Sequence, residues 1–241
     1  MTIIWIITRR ELKSFFDSLL AYIFIIAFLG FTGLLTWIIG RTVFMMQEAS
    51  LQQFFGVAYW SLFFFIPALA MKLLAEERGN GTLELILTKP VSDIQLVSGK
   101  FLAILILVLL SLVLTLPYYI TVAKIGPIDH GATIMGYLGL ILMSGAYISI
   151  GVFASSLTNN QIVAFLLALF IGIFFHLLFG FISQYFPGFI GNTLSYLSLS
   201  NHYESIIRGV VDTKDLIYFL SIIALGLFGA EQVIAKRNIT N

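Results

Sequence analysis

The sequence predicts an all-α integral membrane protein, and three observations support this prediction. Hydrophobic residues make up 59% of the 241 residues, whereas charged residues make up only 10%. The mean hydropathy of +1.01 indicates too few polar side chains to cover a soluble globule. The charged residues separate apolar runs of roughly twenty residues, the length that crosses a bilayer as a helix. We therefore treat residues 1–241 as a single membrane domain.

The first segment, residues 2–18, predicts an amphipathic helix, which we call the elbow. One side carries apolar residues, namely Ile3, Ile4, Ile7, Leu12, Phe15 and Phe16. The other side carries charged residues, namely Arg9, Arg10, Glu11, Lys13 and Asp17. This division is typical of a helix that lies in the membrane interface and does not cross the bilayer.

Six apolar runs then predict six transmembrane helices. Their approximate bounds are 19–39, 54–74, 101–123, 132–154, 162–182 and 216–233. We expect a kink at Pro67 in the second span, and the third span meets Pro117 near its far end. The fourth span contains small residues that let helices approach closely, namely Gly136, Gly139, Gly145 and Gly151.

The charged stretch 75–100, between the second and third spans, is more organised than a plain linker. Gly79 and Gly81 are expected to end the preceding helix. Thr82 is placed to cap a new short helix, and Glu84 lies in its first turn, where a negative charge favours the helix dipole.

That short helix is expected to stop before Pro90, because proline disfavours helical geometry at the preceding residue. Ser92 and Gln95 then have the spacing of a capping box, which predicts an immediate helical restart. Two interpretations remain open for this stretch. It is either an ordered loop between two spans or a docking element for a soluble partner. Its apolar residues favour docking, namely Leu83, Leu85, Ile86 and Leu87.

The segment 183–215, between the fifth and sixth spans, is the longest of the other connections. It contains Pro187, Gly188 and Gly191, yet its later part keeps a helical apolar pattern. We expect short helices that lie on, or dip into, the outer interface.

Lysine and arginine counts predict the orientation. With the N-terminus in the cytoplasm, nine basic residues lie on the inner side, namely Arg9, Arg10, Lys13, Lys72, Arg78, Lys89, Lys100, Lys236 and Arg237. Four lie on the outer side, namely Arg41, Lys124, Arg208 and Lys214. Positive charge favours the cytoplasmic side, so both termini and the stretch 75–100 are predicted to face the cytoplasm.

The sequence offers few groups for chemistry. It has no cysteine and none of the motifs for a phosphate-binding loop, a serine nucleophile or a zinc helix. We expect His176 to be the only ionisable residue deep in a span, either as a hydrogen-bonded structural histidine or as part of a proton relay. His202 and Glu204 are too few ligands to predict a metal site, and a solvated helix face is the better interpretation. The net charge of +1 gives no reason to expect a nucleic-acid partner.

The order of these segments resembles the permease subunits of ABC-2 type transporters over essentially the whole chain. The most specific part is the sequence EERGNGTLELILTKPVS, through Glu76, Glu77, Arg78, Gly79, Gly81, Thr82, Glu84, Leu85 and Pro90. The outer stretch HYESIIRGVVDTKDLIYF adds to the likeness. Among such permeases, the chain looks most like those associated with gliding motility in Bacteroidetes.

This resemblance implies a multi-pass subunit of the inner membrane that works with a separate ATP-binding subunit and a second permease subunit. The chain itself would hold no cofactor, because ATP and Mg²⁺ would be bound by the partner. The coupling surface would comprise Glu76, Glu77, Arg78, Gly79, Gly81, Thr82, Glu84, Leu85, Leu87 and Pro90. The elbow would contribute Arg9, Arg10 and Lys13. Such a subunit is not an enzyme in its own right.

Two uses of ATP hydrolysis remain open, namely export of a substrate and mechanical work. Two other classes also remain: a secondary transporter, and a membrane-embedded enzyme that uses His176. The first would need charged or interrupted spans at mid-membrane, and the second would need a catalytic group at a fixed depth.

Overall fold

The computed structural model describes residues 2–39, 49–83, 90–209 and 212–237, and within these ranges every regular element is helical. The helices in chain order are α1 (Ile3–Asp17), α2 (Leu20–Trp37), α3 (Gln52–Ala70), α4 (Ala75–Gly79), α5 (Asp93–Val113), α6 (Leu116–Ile125), α7 (His130–Ser156), α8 (Gln161–Ile173), α9 (Phe179–Ser183), α10 (Phe189–Leu197), α11 (Leu199–Ile207) and α12 (Thr213–Arg237). A π-helical turn, Phe174–Leu178, joins α8 to α9.

The six predicted spans are confirmed. The helical segments long and apolar enough to cross a membrane are Leu20–Trp37, Gln52–Gly79, Asp93–Ile125, His130–Ser156, Gln161–Ser183 and Thr213–Lys236. The third span begins well before the predicted residue 101, because the capping box at its start is formed. The Ser92 hydroxyl accepts from the Gln95 amide, and the Gln95 side chain accepts from the Ser92 amide.

The fourth span, α7, is the most deeply buried of the six, whereas less than a third of the residues of the first, fifth and sixth are buried. Its four glycines permit this burial, as predicted. A Cβ atom at Gly136 would lie 2.4 Å from the Phe55 ring, and one at Gly151 would lie 2.5 Å from the Cβ of Ala70. A Cβ atom at Gly145 would lie 2.8 Å from Ile223, and one at Gly139 would lie 3.2 Å from Tyr203.

Two spans are interrupted. The second continues through Pro67 and breaks only at residues 71–74, before α4 begins. The hydroxyl of Ser155 bridges this break, because it accepts from the amides of Leu74 and Ala75 and donates to the carbonyl of Met71. The third span is divided between α5 and α6, and Pro117 lies in the first turn of α6, where its missing N–H is not needed.

Contacts between distant segments define the two ends of the bundle. We name the two ends inner and outer after the predicted orientation. At the inner end, α1 packs against the start of α5, and α4 contacts the C-terminal end of α7. At the outer end, α10 and α11 form a helical pair that we call the outer hairpin, and Tyr203 of this hairpin donates to the carbonyl of Phe55. The short outer helices predicted between the fifth and sixth spans are therefore confirmed as helices.

Candidate functional site

The inner end contains a set of charges, centred on a buried lysine, that we call the inner ionic cluster: Arg10, Glu11, Glu77 and Lys100. The Lys100 side chain is completely buried, although its residue lies within the third span. Its Nζ lies 2.8 Å from Oε2 of Glu77 and 3.2 Å from Oε1 of Glu11. It also donates to the carbonyl of Leu73 at 2.6 Å. One ammonium group thus joins the elbow, the end of the second span and the start of the third.

Arg10 completes the cluster from the surface. Its guanidinium Nη2 donates to Oε1 of Glu77 at 2.8 Å and also bonds Glu11. The two cations balance the two carboxylates, so the cluster is neutral overall. Burial alone would raise the pKa of the Glu11 carboxyl, but Lys100 and Arg10 outweigh burial and hold that pKa below its usual value.

Two expectations from the sequence are wrong at this point. Glu11 was assigned to the solvated side of the elbow, yet it is buried together with Ile7, Thr8 and Phe15. Lys100 and Asp215 were placed outside the predicted spans, which begin at residues 101 and 216, yet both are buried near the start of the third and sixth spans. In each case the counter-charge lies on another helix. The pattern of a single helix cannot reveal such a partner, so it assigns every charged residue to water.

The sequence EERG in α4 is also fixed to the fourth span. Nη1 of Arg78 donates to the carbonyl of Ser156 at 2.6 Å, at the C-terminal end of α7. A Cβ atom at Gly79 would lie 2.9 Å from the carbonyl oxygen of Asn159. The absence of a side chain at Gly79 therefore permits the close approach of these two backbones.

An open cavity of about 330 Å³ separates the elbow from α4 and the residues that flank it. Arg10, Ser14 and Ser18 line it from the elbow side, and Lys72, Glu76 and Thr82 line it from the other side. Charged groups of both signs are therefore presented at the inner surface.

The start of the predicted coupling helix is only partly described. Gly81 has a φ of 69°, which ends α4 as expected. Thr82 already has helical backbone geometry, and its hydroxyl donates to the carbonyl of Glu77. Pro90 is exposed. Glu84, Leu85 and Leu87 lie outside the described residues, so the coupling helix itself remains a prediction.

The three basic residues of the elbow do not share one environment. Arg10 contacts two carboxylates of the inner ionic cluster, whereas Arg9 and Lys13 are exposed. The predicted elbow surface therefore divides into one residue that fixes the elbow to the bundle and two that face outward.

His176 lies in the π-helical turn and is fully buried. Its Nδ1 forms a hydrogen bond with the hydroxyl of Tyr147, and its ring is stacked between Tyr59 and Phe63 at centroid distances of 4.2 and 4.4 Å. No charged side chain contacts it in the part of the chain that the structure describes. This aromatic enclosure favours the structural interpretation over the catalytic one.

The sequence analysis placed His202 on a solvated helix face, and this expectation is wrong. It is buried at the outer end, with Nδ1 at 2.6 Å from Oδ1 of Asp215 and Nε2 at 2.8 Å from the carbonyl of Tyr196. Glu204 is exposed and lies 3.8 Å from Arg208. His202 and Glu204 therefore do not converge on a metal. Within the described ranges, no group of three or more histidine, aspartate or glutamate residues has the arrangement of a metal site.

Comparison with known proteins agrees with the arrangement of the spans. A family model described as "ABC-2 family transporter protein" matches residues 38–234, which include the second to sixth spans. A search of curated proteins found no match.

Proposed function

The chain belongs to the ABC-2 transporter family, and from this premise we propose that it couples ATP hydrolysis in a separate subunit to movement of its own spans. As a multi-pass permease subunit of an ABC transporter, it would receive force at the stretch 75–90 and at the elbow. An even number of spans supports a common side for both termini, and the basic residues favour the cytoplasm for that side.

The inner ionic cluster is the observation that carries this proposal. A displacement applied to α4 acts on Glu77, and Glu77 contacts both Arg10 of the elbow and Lys100 of the third span. Removing a partner from a buried ion pair is strongly unfavourable, so these segments are expected to move together. Arg78 extends the connection to the fourth span through the Ser156 carbonyl.

The cavity beside the elbow supports a soluble partner at this end. It presents both carboxylates and basic groups, which suits complementary charges on an ATP-binding subunit. Leu85 and Leu87 would supply the apolar contacts, if the short helix predicted there forms as the sequence indicates. ATP and Mg²⁺ would be held by that partner and not by this chain.

A second permease subunit, identical or different, would pack against apolar faces that this chain leaves uncovered. Phe170 of the fifth span is 60% exposed and Leu225 of the sixth is 70% exposed. Lipid would cover the remainder of these faces. Export and mechanical work both fit this assembly, and the narrower likeness to gliding-motility permeases of the inner membrane stays a prediction.

Co-purification with a candidate ABC-type ATP-binding subunit tests the proposal. The double variant Leu85→Ala with Leu87→Ala should insert normally but bind the ATPase about tenfold more weakly for each residue, because each removes an apolar anchor. Its stimulation of ATP hydrolysis should fall in parallel. Thr82→Ala should have a milder effect, since it removes a hydroxyl and deletes no apolar contact.

The matched control is Leu114→Ala with Leu116→Ala, which changes two exposed leucines where α5 gives way to α6. These residues lie far along the third span from the inner end, so the control should bind and stimulate the ATPase normally. Unchanged binding and turnover in the Leu85 and Leu87 variant would show that the stretch is only an ordered loop.

A further inference from the structure

The outer hairpin meets the sixth span at a buried pair of titratable side chains, His202 of α11 and Asp215 of α12. Their side chains are only 5% and 1% exposed. The ring of Tyr218 stacks on the imidazole at a centroid distance of 3.9 Å. The pair also reaches α10, because His202 bonds the carbonyl of Tyr196. One histidine therefore joins three helices at the outer end.

The hydrogen bonds fix how many protons this pair holds. A carbonyl oxygen only accepts, so Nε2 of His202 must carry a hydrogen for Tyr196. The 2.6 Å contact between Nδ1 and Oδ1 of Asp215 needs one more hydrogen, which belongs either to the imidazole or to the carboxyl. Both arrangements contain one shared proton and have no net charge.

Loss of that proton would leave two acceptors facing each other in a buried place. Oδ2 of Asp215 is itself buried and has no hydrogen-bond partner among the described groups, so a lone negative charge there would be poorly solvated. The nearest cation of the described residues is Lys214, which lines the same cavity and interacts electrostatically with Asp215 but is already paired with Asp212. Nζ of Lys214 lies 2.9 Å from Asp212, and Arg208 lies near Glu204 on the exposed side of α11.

The other elements packed around the pair bring no charged group toward it. Tyr218 of α12 and Tyr196 of α10 contribute aromatic rings. On the bundle side of α11, His176 and Tyr147 form a hydrogen bond with each other. Among the described residues, Lys214 is therefore the one outside charge that acts on the pair.

We propose that His202 and Asp215 form a proton-dependent clamp, which holds the outer hairpin on the sixth span only while their contact contains one proton. Opening of the hairpin in neutral or alkaline surroundings then releases this proton. The outer pH, acting through the clamp, sets how often the outer end opens.

The direction of the effect follows from proton counts. In water, a free imidazole titrates at about pH 6.5 and a free carboxyl at about pH 3.9. An open pair holds one proton between these values, none above them and two below them, whereas the closed pair holds one. Opening is therefore independent of pH in the middle window, and above about pH 6.5 it becomes roughly tenfold more favourable for each pH unit.

Thiol labelling of Ser198→Cys tests the clamp, because the chain has no native cysteine and Ser198 is fully buried between Tyr196 and His202. The rate is measured in the otherwise unchanged protein and in a matched Asp215→Asn background. An asparagine amide can donate to Nδ1 of a neutral imidazole, so that background keeps the bond without a shared titratable proton.

The ratio of the two rates cancels the pH dependence of the thiol itself. We expect the ratio to rise about tenfold per pH unit above neutrality, until the open form predominates. A ratio that stays constant between about pH 7 and pH 9 would overturn the clamp.

A second measurement avoids the variant, in case Asp215→Asn does not fold. In the wild-type protein with ¹⁵N-labelled histidine, the two ring nitrogens of His202 should keep constant shifts between about pH 5 and pH 6.5, where a free imidazole already titrates. Titration of His202 in that range, like that of a solvated histidine, would contradict a closed pair that holds its proton.

Discussion

Each end of the bundle joins a peripheral helical segment to the spans, but the two ends use different chemistry. At the inner end, Lys100 joins the elbow to the second and third spans through two carboxylates, and Arg10 adds a second cation. At the outer end, His202 and Asp215 join the outer hairpin to the sixth span through one shared proton. Both sets are neutral overall; the outer pair is buried, and the inner cluster is centred on the buried Lys100. Only the outer one depends on a group that changes charge near neutral pH, so the inner connection is built to persist and the outer one to open.

The largest effect is expected from Lys100→Met, which keeps the volume of the side chain and removes its charge. Glu11 and Glu77 would then face each other with Arg10 as their only cation in the cluster. Breaking a buried ion pair in this way typically costs about 3–5 kcal/mol. The variant should show a clearly lower unfolding temperature in detergent than the wild-type protein.

Lys72→Met is the control for this change, because Lys72 lies at the same end but is only partly buried and lines the open cavity. Its unfolding temperature should stay close to that of the wild-type protein. Equal losses in the two variants would mean that the burial of Lys100 does not distinguish it from a surface lysine.

A smaller effect is expected from Arg10→Glu in the elbow. This change removes the bond to Glu77 and adds a third carboxylate beside Lys100. Because Arg10 is about half exposed, we expect a loss of about 1–2 kcal/mol in folding free energy, together with weaker assembly with the ATPase. Lys13→Glu makes the same charge change at an exposed position and should be nearly neutral for folding.

Both changes should weaken attachment to anionic lipid by roughly 1 kcal/mol for each basic residue lost. Lipid-binding assays therefore separate this shared effect from the specific effect of Arg10 on folding. If Lys13→Glu lowers the unfolding temperature as much as Arg10→Glu does, the inner ionic cluster is not what fixes the elbow.

The smallest effect concerns acid. The folded-state pKa of Glu11 is lowered from its reference value of 4.5, so its contribution to stability is complete above that value. That contribution is lost as the pH falls through the folded-state pKa. The gap in unfolding temperature between the wild-type protein and Glu11→Gln should therefore be constant near neutrality and should shrink in acid. A gap that widens as the pH falls would contradict the pairing of Glu11 with Lys100.

Features set by neighbours along the chain were predictable from the sequence. The six spans follow from apolar length, the helical restart after Ser92 follows from its capping box with Gln95, and the close packing of the fourth span follows from its glycines. Each of these depends on a pattern within a few residues or on composition, and such patterns survive folding unchanged.

Features that pair distant residues were not predictable from the sequence. Glu11 and Lys100 are 89 positions apart, and Ser155 bridges a helix break 80 residues earlier in the chain. His202 and Asp215 are only 13 positions apart, but a turn and the start of a span separate them. In each case a polar residue looked solvated because its partner could not be identified before the helices were placed.

The account depends most directly on the side of the membrane that the inner end faces, because ATP is available only in the cytoplasm. Thr82→Cys introduces a single exposed thiol beside α4, and Asn192→Cys introduces one on the outer hairpin. In intact cells, a thiol reagent that does not cross the membrane should label Asn192→Cys and leave Thr82→Cys unmodified until the cells are permeabilised. Labelling of Thr82→Cys from outside intact cells would contradict the proposed coupling to an ATPase.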